Sequence, residues 1–406
     1  EESSGNCHSC IYTRLYLCRM LASSLPKPRV ARIAVSNFFF VSGLCFATWA
    51  ARIPDIQHHL GLNQAELGTV LFASPVGSMV CLPVAGVMVT RLGSRICLLI
   101  GSIIYTAVLC LIGGVDHVWE LAALLFLFGM AGNLMNISIN TQAVGVEALY
   151  QRSIMASFHG LWSLAGFTGA AIGTFMVSQH ISPLAHFVYV SVLIMAIVFL
   201  FVKSALKNDL RSGSGKSGFS WPDRSLLNLG ILSFCCMACE GCMFDWSGIY
   251  FRDVVHAPEQ YVTVGYTTFM ATMATGRFFA DNMVTRFGVK NVFRVAGCLI
   301  TAGLLLAVIL PQFFTAALGF LLTGFGVSSV VPLAYGLAGK SKTMPAGMAI
   351  AAVSTVGFIG FLFGPPLIGY IAQAFDLRWS FAIMAALGFG TTLMAGRATR
   401  LVAGAV

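Results

Sequence analysis

Val89-Thr90-Arg91-Leu92-Gly93 closes one long apolar run, and Val284-Thr285-Arg286-Phe287-Gly288 closes another 195 residues later. Gly129 and Gly324 keep the same offset, and Trp49 finds Trp246 at nearly that spacing. Self-similarity on this scale marks a duplicated half-protein. About 20 apolar residues cross the hydrocarbon of a bilayer. Runs of that length recur at 33–51, 67–89, 96–113, 120–142, 155–177, 184–202, 226–250, 262–283, 292–310, 313–338, 347–371 and 379–396. Six spans per half start both halves on the same side, so the repeat is parallel, with its axis along the membrane normal. The expected fold is an all-α membrane protein of twelve transmembrane helices in two parallel six-helix repeats.

Composition agrees. Of 406 residues, 57% are hydrophobic and 10% charged, whereas about a quarter are charged in an ordinary soluble domain. Such a chain cannot cover a water-facing surface. The net charge of +9 is scattered in ones and twos between apolar runs rather than gathered in a patch, which argues against nucleic-acid binding. The twelve spans place 21 of the 24 Lys and Arg on the side shared by both termini and leave Arg52, Arg252 and Arg378 on the other. Positive residues concentrate on the cytoplasmic side, so both termini are expected there, in a bacterial inner membrane.

These spans divide the chain into domains. Residues 1–29, with Cys7, Cys10 and Cys18, lack the even apolar texture of the spans and are expected to be a disordered cytoplasmic leader, Met20 being a candidate start. No cleavable signal is evident, and the first apolar run reads as an uncleaved span. An N-terminal bundle covers 30–202, and a C-terminal bundle covers 226–400 with a tail at 401–406. Between the bundles, 203–225 contains Ser-Gly-Ser-Gly-Lys-Ser-Gly and reads as a flexible cytoplasmic linker.

Gly86-Val-Met-Val-Thr-Arg91-Leu-Gly93-Ser-Arg95 resembles the loop signature of the major facilitator superfamily, and the resemblance extends over residues 30–400. Thr90 and Ser94 stand where the family usually has an acid and an Arg. Thr285 likewise replaces the acid of the second half, with Asp281 one turn earlier. The resemblance implies the major facilitator fold, transport rather than catalysis, a monomer, and a gating role for Gly86, Arg91, Gly93, Arg95, Arg286 and Gly288. Phe158-His-Gly-Leu-Trp-Ser163 and Glu240-Gly-Cys-Met-Phe-Asp-Trp-Ser247 look like a bacterial branch that includes the rhizopine-associated membrane protein.

A charge at mid-bilayer costs on the order of 3 kcal/mol by insertion scales, so it should face a cavity or a partner. Glu240 sits at mid-depth of the seventh span and Asp245 closer to the outside. Both are candidates to carry a coupling proton, the only cofactor-like species expected, and the alternative is a structural acid bonded to a neighbouring helix. Arg277 and Asp281, four apart, can pair along the eighth span and touch the other half, and the resemblance implies that they act there as a latch. The alternative is a snorkelling Arg with a local partner.

Substrate contacts are expected from amides and aromatics. Asn133, Asn136 and Asn140 share an arc of about 60° on the fourth span and either line a cavity or act as interhelical glue. His159 and Trp162 share a face with Gly166, Gly169 and Gly173. His159 either takes part in a relay or solute contact or bonds a backbone carbonyl where helices cross. Trp49 and Trp246 form either an aromatic wall or an interfacial belt. Asn37, Ser74, Thr268, Thr272 and Tyr335 are further lining candidates. Cys236, Cys239 and Cys242 have metal-ligand spacing, but no local His supports them and they read as small packing residues, so no metal is expected. These side chains suit a small polar organic solute, a sugar, cyclitol or amine. The rivals are a drug-type efflux pump of the same fold and a sensor that no longer transports.

Overall fold

The computed structural model describes residues 28–150, 154–207, 209, 224–341, 344 and 346–399. Residues 1–27 of the leader, most of the linker and the tail fall outside these residues, and Pro28 and Arg29, expected in the leader, open the first helix. Each apolar run is helical, since a backbone in hydrocarbon must satisfy its hydrogen bonds within the segment. The first half comprises α1 (Pro28–Ala50), α2 (Ile53–Leu60), α3 (Gln64–Leu71), α4 (Ala73–Leu92), α5 (Ser94–Ile112), α6 (Val118–Tyr150), α7 (Met155–Ser178) and α8 (Pro183–Val202). The second comprises α9 (Arg224–Asp253), α10 (Val264–Phe287), α11 (Val289–Ile309), α12 (Phe313–Ala338), α13 (Ala346–Ala374) and α14 (Leu377–Ala398). The first two spans each consist of two helices end to end. Asn63 opens α3 with a capping box, its side chain accepting from the Glu66 amide while Glu66 accepts from the Asn63 amide.

Among the described residues, eleven of the twelve spans are apolar enough to cross a membrane on composition alone. The twelfth is α10, long enough at 24 residues but carrying Arg277, Asp281, Asn282 and Arg286. Helix α6 runs to Tyr150, past the end at 142 expected from hydropathy. Its extension buries Ala143 and Val146 in the core and is also held by polar contacts. Gln142 donates to the Leu206 carbonyl at 2.9 Å and accepts from the Leu206 amide at 2.7 Å, and Glu147 accepts from the amides of Ile154 and Met155.

The duplication is visible atom by atom. Gly93 has φ 83° and ψ 150°, and Gly288 has φ 75° and ψ 150°, a region that is essentially open to glycine alone. A Cβ on Gly129 would lie 1.9 Å from the Ser74 carbonyl oxygen, and one on Gly324 would lie 2.2 Å from that of Phe269. Ser74 and Phe269 are themselves 195 residues apart. So α6 closes on α4, and α12 on α10, through the same glycine-for-carbonyl contact. One such pair has diverged: a Cβ on Gly77 would collide with the Phe126 carbonyl at 2.0 Å, whereas the equivalent Thr272 donates its hydroxyl to the Leu321 carbonyl at 2.7 Å.

The halves meet at the end of the bundle remote from the termini. Arg252 at the end of α9 donates to the Pro54 carbonyl and to Gln57 Oε1, both at 2.7 Å. Gln64 Nε2 donates to Asp253 Oδ2 at 2.8 Å, and the Gln64 amide donates to Gln373 Oε1 at 3.2 Å. Thr174 shares hydroxyl bonds with Thr263 and Thr267 at 2.8 and 3.0 Å. Here α3 packs on α13, with Gly68 against the Pro365 carbonyl. Its continuation α4 barely touches α13. Along α13 the seam between the halves is therefore sealed at one end and parts toward the other, while α7 and α10 stay in contact as far as Gly160 and Phe278.

Candidate functional site

Helix α9 carries Glu240 into the middle of this seam, where it is buried at 8% exposure. Its partner comes from α10. Arg277 Nη2 donates to Glu240 Oε1 at 3.4 Å, its Nη1 donates to Ser163 Oγ on α7 of the other half, and its guanidinium carbon lies 5.9 Å from the centroid of the Trp162 ring. Arg277 Nε has no partner among the described residues. The Asp281 side chain falls outside the described residues, so the expected Arg277–Asp281 pair does too. What the structure places on Arg277 is Glu240. One arginine is thus shared between an acid of its own half and a hydroxyl of the other, and a buried pair of this kind is balanced only while both charges are present.

Rings surround this pair. Phe244, one turn beyond Glu240, is the hub of a set of edge-on contacts: Phe46 at 5.3 Å, Trp162 at 6.4 Å, Tyr266 at 6.3 Å and Phe361 at 6.2 Å. Phe46 and Trp162 belong to the first half, Phe361 and Tyr266 to the second. Tyr335, half-buried, points its hydroxyl at Met237 Sδ, 3.9 Å away, within electrostatic reach of Glu240. His159, one turn before Ser163, is exposed to open space and sits edge-on to Phe39 at 5.1 Å. Gly169 and Gly173 do not join that open face. They let α7 close on Ala47 of α1 and on Ala51 just beyond it.

Several sequence candidates take other places. Trp49 is 3% exposed and packs on Phe128 at 6.3 Å, and Trp246 is fully buried. Neither forms a solvent-facing wall or an interfacial belt, because depth along a helix says nothing about the side it faces. The tryptophans that stand out at the sealed end are Trp119 and Trp379, 68% and 61% exposed. Asn133 donates to the Ser78 carbonyl, the glue alternative, tying α6 to α4. Asn136 is exposed and accepts from Asn140 at 2.9 Å. Asn37 turns back to the Ile33 carbonyl at 2.9 Å. Cys236 and Cys239 lie against the carbonyls of Val327 and Met384, packing α9 onto α12 and α14.

The signature residues stand at the open end. Arg91 and Arg286 are exposed, Arg95 is half-buried, and a Cβ on Gly86 would meet nothing within 4 Å. Where the family's acid is missing at Thr90, a carboxylate arrives from the linker. Asp209 accepts from the Ser94 amide at 2.7 Å and from its hydroxyl, at the N-terminus of α5, where a negative charge is favoured.

The tie at the sealed end has no counterpart among the sequence expectations. Arg252, Gln57, Gln64 and Asp253 form a closed ring of hydrogen bonds across the halves. A signal was available: Arg52 and Arg252 are two of only three basic residues on that side. Outside the ring lies a vestibule of 730 Å³ lined by Arg52, Asp55, His58, His180, Arg252 and Glu259.

This architecture has counterparts. The sequence profile described as Major Facilitator Superfamily matches residues 35–267 and 229–402. The chain belongs to the major facilitator superfamily. It is 34% identical over 366 residues to an uncharacterized MFS-type transporter of Yersinia pestis, covering 89% of this chain and 94% of that protein. It is 31% identical over 367 residues to the membrane protein MosC of Rhizobium meliloti, covering 89% of each, which bears out the branch inferred from the span-five and span-seven motifs. Among solved structures, a mutant of the nucleoside transporter NupG superposes with a TM-score of 0.71 over 92% of this chain and all of that one at 15% identity, a likeness of fold. The superfamily assignment makes this a multi-pass membrane transporter and not an enzyme.

Proposed function

We propose that this transporter carries a small polar organic solute, of the sugar, cyclitol or amine class, by alternating access, with proton uptake at Glu240 as the coupling step. The observation that carries the reading is the sharing of Arg277 between Glu240 and Ser163. Protonating Glu240 removes the only acid paired with this arginine among the described residues, and a buried cation without a counter-charge is strongly disfavoured. Arg277 must then regroup, and its bond to the other half regroups with it. The protonation state of an acid in one half thereby biases how the two halves sit.

Both termini are read as cytoplasmic from the 21 to 3 split of basic residues. On that reading the sealed end faces outward and the parted seam opens to the cytoplasm, so the conformation is inward-open, in the plasma membrane of a bacterium. The test is transport in proteoliposomes of the solute found by thermal-shift screening. Glu240→Gln should abolish proton-driven accumulation and spare counterflow exchange. Unchanged concentrative uptake in that variant would rule the role out. The half-buried rings of Phe46 and Phe361 also suit bulky amphipaths, so a drug-type efflux pump is the second reading. Drug resistance on overexpression would favour it.

A further inference from the structure

Of the two acids that α9 carries inward of its end, Glu240 and Asp245, one is partnered and, among the described residues, the other is not. Glu240 has Arg277. Asp245 is half-buried and, among the described residues, takes no hydrogen bond and no ion pair. Its direction is fixed by two glycines. Gly241 and Gly248 lie within about 60° of it around the helix. A Cβ on Gly241 would meet the Phe361 ring at 3.2 Å, and one on Gly248 would meet Pro54 of the first half at 2.8 Å. Asp245 therefore looks into the seam, inward of the tie formed by Arg252. Beside it stands the ring cluster centred on Phe244. Tyr266, 1% exposed, belongs to that cluster and lies within electrostatic reach of Asp245, and its hydroxyl has no partner among the described residues.

We propose that Asp245 is the docking point for a protonated amine on the transported solute, with Phe46, Trp162, Phe244 and Tyr266 receiving the carbon skeleton that bears it. The proposal rests on the transporter reading above and narrows its solute class to the amine-bearing members. An acid in a low-dielectric seam is costly without a counter-charge, and no Lys, Arg or His among the described residues supplies one here. A ligand ammonium would supply both charge and donors, and aromatic faces attract such a cation. The same argument excludes Glu240 as the docking point. Arg277 already balances it, and a second cation there would meet the guanidinium. The two acids thus divide the work, Glu240 facing the arginine and Asp245 the solute.

The test uses the full chain, purified in detergent, and matched probes: glucosamine with glucose, and cyclohexylamine with cyclohexanol. Binding is read by tryptophan fluorescence and by thermal shift. In the native protein the amine of at least one pair should bind about tenfold more tightly than its neutral counterpart. Asp245→Asn should erase that preference, while Asp245→Glu retains it, each variant checked for an unchanged elution volume. Absence of any amine advantage in the native protein overturns the proposal without need of a variant. So does an advantage that survives Asp245→Asn. Unchanged concentrative uptake in Glu240→Gln would instead count against the coupling reading alone.

Discussion

Arg252 Nη2 and Gln57 Oε1 lie 2.7 Å apart across the boundary between the two halves. They begin a ring in which Gln57 donates to Gln64 at 3.4 Å, Gln64 donates to Asp253 at 2.8 Å, and Arg252 closes on Asp253 at 2.6 Å. Each member holds a member of the other half or holds the partner that does.

Arg252→Ala removes three hydrogen bonds from this ring at once, and a fourth to the Pro54 carbonyl. Loss of a partly buried charged hydrogen-bonding group costs about 1–3 kcal/mol, so the sealed end should open more often. Hydrogen exchange read by mass spectrometry should quicken severalfold across residues 57–69 and stay unchanged in α5. Identical protection in the variant would remove the ring from any role in closure.

Arg277→Gln strands a buried Glu240. The expected loss is on the order of 3 kcal/mol, seen as a lowered thermal midpoint. The double variant Arg277→Gln with Glu240→Gln carries no buried charge at this place and should recover most of that loss. A double variant no more stable than the single one would show that the two residues do not act as a pair.

Gly129→Ala and Gly324→Ala each force a methyl group against a carbonyl oxygen, at 1.9 and 2.2 Å. Overpacking of this kind costs roughly 1–3 kcal/mol. Gly86→Ala, at a site with nothing within 4 Å, should leave the thermal midpoint unchanged or slightly raised, as alanine favours the helix. Equal destabilisation at all three sites would mean that close helix approach is not what sets the glycines.

Asp209→Ala frees the chain beyond α8 from the start of α5. Limited proteolysis between residues 203 and 225 should then be faster, with the bundles intact. An unchanged cleavage rate would make the contact with Ser94 incidental.

The spans are legible in the sequence because hydrocarbon thickness dictates their length whatever else a sequence does, and 313–338 matches α12 residue for residue. The repeat is legible because Gly93 and Gly288 occupy a backbone conformation that side chains avoid. Helix rotation is not. Hydropathy reports depth, so it puts Trp49 and Trp246 at the right level and the wrong side, and it does not reveal that Ser78 stands opposite Asn133. The ring at the sealed end is hidden for another reason. Its cross-half contacts join residues nearly 200 apart in the chain, as with Gln57 and Arg252 at a separation of 195, and a single sequence carries no trace of which distant polar groups meet. Glu240 and Asp245 are conspicuous as acids in oil, yet only the fold shows that one has an arginine and that the other, among the described residues, has none.

Gly77 and Thr272 began as copies of one position, and they no longer admit each other's side chain. In the first bundle the neighbouring backbone has come so near that even a methyl is shut out, while in the second a hydroxyl props the helices apart and bonds across the gap. Exchanging α4 for α10 between the bundles would therefore wedge one and hollow the other. The two copies have become unlike parts, and a working chimera of this protein would have to transplant α6 with α4 and α12 with α10.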